Sequence, residues 1–476
     1  MPVDSKHDEY AKAMAKWSRC RDAISGQDAV HAGGARYLPK LSEQSADEYQ
    51  AYKERTPWYG ATGRTLEGMV GMVFRVDPVL EAPEAFKALT KDITLSGMTL
   101  DGVAREGVTE VVGIGRYGLL VEFPKVTEQP TNLAAAAAAN LRPYVRAYKA
   151  ETIINWRIEM RGNRMQPTLV VLKESYEVPV DVYSSEVKTQ YRVLMLDEAG
   201  RYVQRLFREN AEKQWTAEPD IIPQMDGKAM GEIPFYPFGP EKLSLDVQQS
   251  PILDLVDLNL SHYRTSADLE HGAHFTGLPT PFIAGVQLKD GEKVRIGSSE
   301  AIVAGDPAAT ASYLEFSGQG LGALERLMDR KEGQMAALGA RMLAPEKAGV
   351  ESEGTMAMRH NGEDSVLAGI AKLVAYGITE MCAFMARWAG INGEIKFTLN
   401  TDYLPRGMSA QELTALMSAW QQGGISFQTL FANLQRAEII APEVTDEEEQ
   451  ERIGDAGPTL AMQSALQPTP GEGDSK

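Results

Sequence analysis

The strongest constraint on the fold is a pair of long helix-like segments between residues 250 and 343, separated by a short insert. In the first segment, apolar residues cover most of the helix circumference, which predicts burial against more than one partner. Ser250-Pro251 opens this segment, because serine accepts hydrogen bonds from the free N–H groups at a helix start and proline is tolerated at the first position. We therefore predict two rods that need neighbours.

The insert between the rods, from Pro281 to Ser317, contains only short β patterns around turn-forming Asp290-Gly291 and Gly305-Asp306-Pro307. We predict that it does not fold alone. These features are more typical of a protein that assembles with partners than of an enzyme.

Composition sets wide limits on the fold. A chain of 476 residues with 43% apolar content can bury a large core, and its length predicts two to four structural units. We expect no membrane association, because no apolar run approaches the ~20 residues that cross a bilayer, and no secretory signal, because the N-terminus has no apolar h-region. Two cysteines, Cys20 and Cys382, predict a reducing compartment without a structural disulfide.

The formal charge of -18 argues against tight DNA binding, which needs a basic face that displaces counterions. It leaves open whether the acidic residues form a solvated exterior or a surface past which DNA slides.

The fold class predicted from the pattern is α+β. Residues 144–238 are mostly β, with a hairpin from Tyr191 to Phe207 that turns at Asp197–Gly200. The remainder is largely helical, and residues 456–476, rich in Gly, Pro, Ser and Gln, predict a disordered tail.

The glycine pattern Gly113–Gly118 has the spacing of a dinucleotide-binding turn. That turn must lead from a strand into a helix whose N-terminus faces a pyrophosphate, whereas here the glycines lead into a strand-like run. A helix-to-strand corner is therefore the favoured interpretation, and a nucleotide-dependent enzyme the alternative.

A metal site and a catalytic centre have little support. His271 and His274 lie three residues apart, but a metal site needs three or four ligands and no third histidine is near. No nucleophile elbow, Walker lysine motif or His-Glu-x-x-His motif is present. We expect a protein that is not an enzyme and has no catalytic residues, metal or cofactor.

Three stretches of the chain resemble portal proteins of tailed bacteriophages, in the subgroup long described as a phage domain of unknown function. They are residues 148–156, residues 253–281, and residues 313–342. The resemblance runs from about Ala51 to Glu449.

The resemblance implies a multidomain subunit with an α/β wing, a two-helix stem, a small β-containing clip and a helical crown. In chain order, the expected parts are a wing (1–245, β-rich at 144–238), stem helix 1 (246–276), clip (277–317), stem helix 2 (318–343), tunnel loop (344–357), wing helix and strand (358–407), crown (408–455) and tail (456–476).

The resemblance also implies candidate site residues. The expected tunnel-loop residues facing DNA are Glu346, Lys347, Glu351 and Glu353. The expected subunit contacts of the stem are Leu255, Leu258, Leu324 and Leu327, and the expected docking residues of the clip are Tyr313 and Phe316.

The function implied is a ring of twelve subunits at one capsid vertex, through which double-stranded DNA is packaged and ejected. The expected partners are further copies of the chain, terminase, head-completion or adaptor proteins, the major capsid protein and non-specifically passing DNA. The expected location is the virion, and the host cytoplasm during assembly. Another phage head–tail adaptor remains an alternative.

Overall fold

The structure is a computed structural model that describes residues 2–124, 140–277, 280–284, 308–314, 320–343, 365–403, 410–421, 424–437, 439–440 and 444–455. The described residues form a mixed helix-and-sheet fold, which confirms the α+β class. The chain divides into two compact units, Met1–Thr401 and Asp402–Lys476.

Helices account for most of the first unit's regular structure. Its helices in chain order are α1 (Asp8–Ser25), α2 (Gln27–Gly33), α3 (Ala46–Arg55), α4 (Ala61–Val73), α5 (Glu84–Thr90), α6 (Leu100–Gly113), α7 (Leu253–Gly277), α8 (Leu321–Arg341) and α9 (Val366–Trp388). The second unit contains α10 (Ala410–Gln421), α11 (Phe427–Arg436) and α12 (Asp446–Asp455). Ser426 caps the start of α11, where its hydroxyl accepts a hydrogen bond from Thr429 N at 3.2 Å.

The described strands all belong to the first unit and pair antiparallel. They are β1 (Val79–Glu81), β2 (Tyr117–Glu122), β3 (Tyr144–Lys149), β4 (Ile153–Arg161), β5 (Arg164–Pro179), β6 (Ser185–Leu196), β7 (Tyr202–Glu209), β8 (Trp215–Ala217), β9 (Gln224–Met225), β10 (Lys228–Ala229), β11 (Phe235–Phe238), β12 (Thr280–Ala284), β13 (Thr310–Leu314) and β14 (Lys396–Thr398).

Two sheets dominate the β region. Strands β4 to β8 form a five-stranded meander, and β11, β2 and β3 form a three-stranded sheet with β2 in the centre. The predicted hairpin is confirmed, because β6 pairs with β7 from Gln190↔Arg208 to Leu196↔Tyr202.

A buried ionic cluster joins these two sheets. The Arg192 guanidinium on β6 donates to Glu174 on β5 at 2.7 Å and to Glu122 on β2 at 2.9 Å; Arg192 and Glu122 are buried, and Glu174 is nearly so. Burial opposes the charged form of Glu174, but its hydrogen bonds and ion pair with Arg192 outweigh this effect and lower the pKa of the carboxyl. The cluster therefore couples the two sheets through paired charges.

Helix α9 occupies the core of the first unit. By length and composition it could cross a membrane, but more than half of its most apolar 18-residue stretch is buried in the fold. It packs against α6 and β11, and a Cβ on Gly377 would lie 2.5 Å from the Phe238 ring. Burial within the fold therefore accounts for its apolar composition.

The predicted tail at 456–476 lies outside the described residues. Cys20 and Cys382 are both free and buried.

Candidate functional site

The two predicted rods are helices α7 and α8, which pack against each other in antiparallel orientation. Near the middle of the pair, Lys331 Nζ donates to Ser261 O at 2.9 Å and to Thr265 Oγ1 at 2.6 Å. His262 Nε2 lies 3.1 Å from Glu332 Oε1. Polar contacts therefore fix the register of a largely apolar interface.

The two helices approach each other closely near the insert. A Cβ added to Gly272 on α7 would lie 2.7 Å from Leu321 Cδ2 on α8. Glycine at this position removes the side chain that would hold the helices apart.

Burial changes the titration of the polar groups in this interface. It lowers the pKa of His262, although the neighbouring Glu332 carboxylate opposes the shift, so the imidazole is largely neutral at pH 7. Burial, reinforced by the Arg264 charge, also lowers the pKa of Lys331.

Helix α7 is covered mainly by other helices of its own chain. Asn259 Oδ1 accepts hydrogen bonds from Thr62 N and Thr62 Oγ1 on α4, at 3.1 and 2.8 Å. Tyr52 on α3 donates to Asp268 at 3.0 Å, and α1 and α8 pack along further sides. The apolar circumference of this rod therefore does not by itself require neighbouring subunits, which differs from the sequence-based interpretation.

The four predicted stem contacts differ in exposure. Leu255 is 3% exposed, so packing inside the chain already occupies its side chain. Leu258 on α7 and Leu324 on α8 are half-buried, and Leu327 on α8 is 40% exposed. Among these four residues, Leu327 has the most surface available to another subunit.

The predicted clip and tunnel loop fall largely outside the described residues. Glu346, Lys347, Glu351, Glu353 and Phe316 lie there, as do most residues of the insert. Tyr313 belongs to β13, which pairs with β12 from Thr280↔Leu314 to Ala284↔Thr310.

Described residues on either side of the predicted tunnel loop lie next to each other. Leu367 N, in the first turn of α9, donates to Met342 O, just after α8, at 3.2 Å. The end of α8 and the start of α9 are therefore held next to each other.

The glycine pattern is a helix-to-strand corner, as predicted, because it joins the end of α6 to the start of β2. Gly115 has φ +90°, and a Cβ there would lie 2.9 to 3.0 Å from backbone atoms of residues 248–250. Arg116 in the same corner is buried, with its guanidinium 4.0 Å from the centre of the Trp156 ring. Close packing against backbone accounts for Gly115, and packing against apolar side chains accounts for Gly113 and Gly118, without a nucleotide.

Of the two histidines near the end of α7, His271 makes an aromatic contact. The His271 ring lies edge-on to Tyr52, with 5.2 Å between the ring centres. In the part of the chain that the structure describes, no three His, Cys, Asp or Glu side chains are grouped so that they could hold a metal ion.

The sequence reasoning missed one exposed feature, the long hairpin of β5 and β6. Its far end carries Val180, Val182, Tyr183 and Val187, all strongly exposed. The alternation of apolar and polar residues from Glu174 to Val180 could have identified a strand, but not its exposure.

A family model described as a domain of unknown function (DUF4055) matches residues 251–389, which contain both rods. No curated protein matches the chain.

The chain is also similar to chains in solved structures of gene transfer agent (GTA) particles. For the neck of an empty GTA particle computed with C6 symmetry, the identity is 10%, the coverage is 90% of this chain and 99% of the other, and the TM-score is 0.36. For the virion of a native GTA particle, the identity is 10%, the coverage is 90% and 99%, and the TM-score is 0.35. For the neck of a native particle computed with C12 symmetry, these values are 12%, 86%, 98% and 0.35.

Proposed function

We propose that this chain is the portal subunit of a tailed phage or phage-like particle. In this role it forms a ring-shaped channel through which double-stranded DNA is packaged and ejected. It catalyses no reaction, and ATP hydrolysis belongs to a separate terminase. The ring docks terminase and head-completion proteins on its clip and contacts the major capsid protein at the capsid vertex.

The observation that carries this proposal is the arrangement around the α7–α8 pair. The pair has an insert at one end, whose described part is the β12–β13 ribbon, and at the other end a hydrogen bond from Leu367 N to Met342 O joins the described residues on either side of the proposed tunnel loop. This order of elements matches the stem, clip and tunnel loop that the sequence resemblance implies. A channel subunit needs both a clip and a tunnel loop, because the clip must meet external proteins and the tunnel loop must reach the passing DNA.

The charge of the chain supports a conduit for DNA. Each subunit carries a formal charge of -18, so a ring of twelve would carry a large negative charge overall. DNA binding is driven largely by the release of counterions from phosphates that meet cations. A strongly acidic ring therefore favours passage of DNA over retention, with Glu346, Lys347, Glu351 and Glu353 as the proposed residues at its narrowest loop.

The proposed subunit contacts are the parts of the helical pair that the chain leaves uncovered. Leu258, Leu324 and Leu327 retain exposed surface, whereas Leu255 does not. Tyr313 and Phe316 remain the proposed docking residues of the clip.

The mass of the purified chain in solution tests this proposal. A ring of twelve 52.1-kDa chains has a mass of about 625 kDa, which light scattering coupled to size-exclusion chromatography distinguishes from smaller species. A monomer or dimer at all protein and salt concentrations would contradict the proposal. Nucleotide binding by such a species would favour the enzyme alternative instead.

A further inference from the structure

The β5–β6 hairpin extends beyond the sheet to which it belongs. Strand β4 pairs with β5 only as far as Leu172, and β7 pairs with β6 only from Gln190, whereas β5 and β6 pair with each other out to Pro179↔Ser185. Residues 175–189, here named the arm, therefore form a two-stranded ribbon. At ~3.3 Å per residue, the arm reaches roughly 20 Å beyond the neighbouring strands.

The tip of the arm has a defined conformation. Asp181 Oδ1 accepts hydrogen bonds from Tyr183 N at 2.7 Å and Ser184 N at 2.9 Å, and Asp181 Oδ2 accepts one from Ser184 Oγ at 2.6 Å. This turn presents Val182 and Tyr183 to solvent, at 90% and 98% exposure. An ordered turn that displays two large apolar side chains, at the end of a ribbon that would be marginal alone, is typical of a docking element.

Helix α8 carries a matching surface, here named the stripe. Its residues recur at intervals of four and three along one exposed side of the helix, and they are Ala323, Leu327, Arg330, Gln334, Ala337 and Arg341. No described carboxylate pairs with Arg330 or Arg341. Glu325 and Asp329 lie on a different side of the helix, so the stripe is apolar and positively charged.

The charges of the arm and the stripe are opposite. The arm carries Glu177, Asp181 and Glu186 against a single cation, Lys188, whose Nζ lies 3.2 Å from Glu186 Oε2. The stripe carries two arginines and no acid. In a chain of net charge -18, this stripe is a cationic surface that suits the chain's own acidic arm.

We propose that the arm of one subunit docks on the stripe of the next copy of this chain. Val182 and Tyr183 contact Leu327 and the alanines beside it, and the carboxylates of the arm face the stripe's arginines. Each subunit gives one arm and receives another, which is a head-to-tail contact that closes into a ring when the rotation permits. Ring closure rests on the proposed portal function, whereas the site of docking does not.

Disulfide cross-linking in the assembled protein tests the docking site. The variant Tyr183→Cys/Leu327→Cys places one thiol on the tip and one on the stripe, and the native Cys20 and Cys382 are buried and should not react. Because a disulfide requires Cα atoms within about 7 Å, only docked pairs should form it. We expect oxidation to give a ladder of covalent oligomers on a non-reducing denaturing gel.

The matched control is Met160→Cys/Leu327→Cys, in which the first thiol lies on the exposed end of β4 instead of the arm. We expect at least tenfold less cross-linked product from it than from the arm variant. Rings that assemble normally but give no more ladder than the control would overturn the docking site while leaving the portal function intact. This outcome is also the one expected if the stripe faces DNA. Absence of rings in the unmodified chain would instead contradict the portal function.

A charge-reversal series provides a second measurement that does not depend on cysteine chemistry. Glu177→Arg, at an exposed carboxylate of the arm, and Arg330→Glu should each raise the protein concentration needed for half-assembly at least tenfold. The combined variant should restore it to within about threefold of the original, as measured by mass photometry. A half-assembly concentration of the combined variant that is raised by the product of the two single effects would refute the pairing.

Discussion

Replacement of Gly115 by alanine tests whether the Gly113–Gly118 corner is structural. Gly115 has φ +90°, a conformation that costs an L-residue about 1–2 kcal/mol. In addition, the new Cβ would lie 2.9 Å from Ser250 N and 3.0 Å from Gln248 O, both backbone atoms that cannot rotate away. Overpacking of this kind adds about 1–3 kcal/mol, so the total expected loss of unfolding free energy is about 2–5 kcal/mol.

The matched control is Gly227→Ala, at a position with φ +73° and no atom within 4 Å of the added Cβ. It should carry only the conformational cost of about 1–2 kcal/mol. Urea unfolding of both variants at the same protein concentration, followed by circular dichroism, measures the difference between them. Equal losses for the two variants would show that the close approach to residues 248–250 does not constrain the corner.

Two further predictions concern the helical pair and the ionic cluster. Leu255→Asp buries an unpaired charge and should lower the unfolding free energy by several kcal/mol. Leu327→Asp, at an exposed position, should change the unfolding free energy by less than about 0.5 kcal/mol but weaken assembly as measured by light scattering. Equal destabilisation by the two substitutions would contradict the difference in burial. Because the folded pKa of Glu174 lies below the unfolded value of about 4.3, its stabilisation is present above that value and is lost as the pH falls through the folded pKa. Glu174→Gln should therefore lower the unfolding free energy at pH 7 by about 1–3 kcal/mol. It should also make the unfolding free energy fall less steeply below pH 5, as measured by acid unfolding. An unchanged fall below pH 5 would refute the stabilising role of the Glu174 carboxylate.

Local patterns in the sequence predicted many elements correctly. The run after Gly118 and the turn at Asp197–Gly200 identified β2 and the β6–β7 hairpin, because side-chain alternation and turn chemistry are local properties. The position of the glycines between a helix and a strand likewise identified the corner.

The partners of these elements were not predictable from the same patterns. The apolar circumference of α7 indicates that several of its sides are buried, but not whether the same chain or another covers them. Asn259 and Asp268 meet Thr62 and Tyr52, about 200 residues away in sequence. The exposure of the arm depends on where β4 and β7 stop pairing, which is also set by tertiary structure. The candidate subunit contacts that the resemblance implied therefore include Leu255, which its own chain buries.

The central claim, that this chain assembles into a DNA channel, is tested most directly by negative-stain electron microscopy of the purified protein. We expect class averages of end-on views to show a closed ring of about twelve subunits with an open centre. Compact particles without a central opening, or open-ended filaments, under all conditions would contradict the claim.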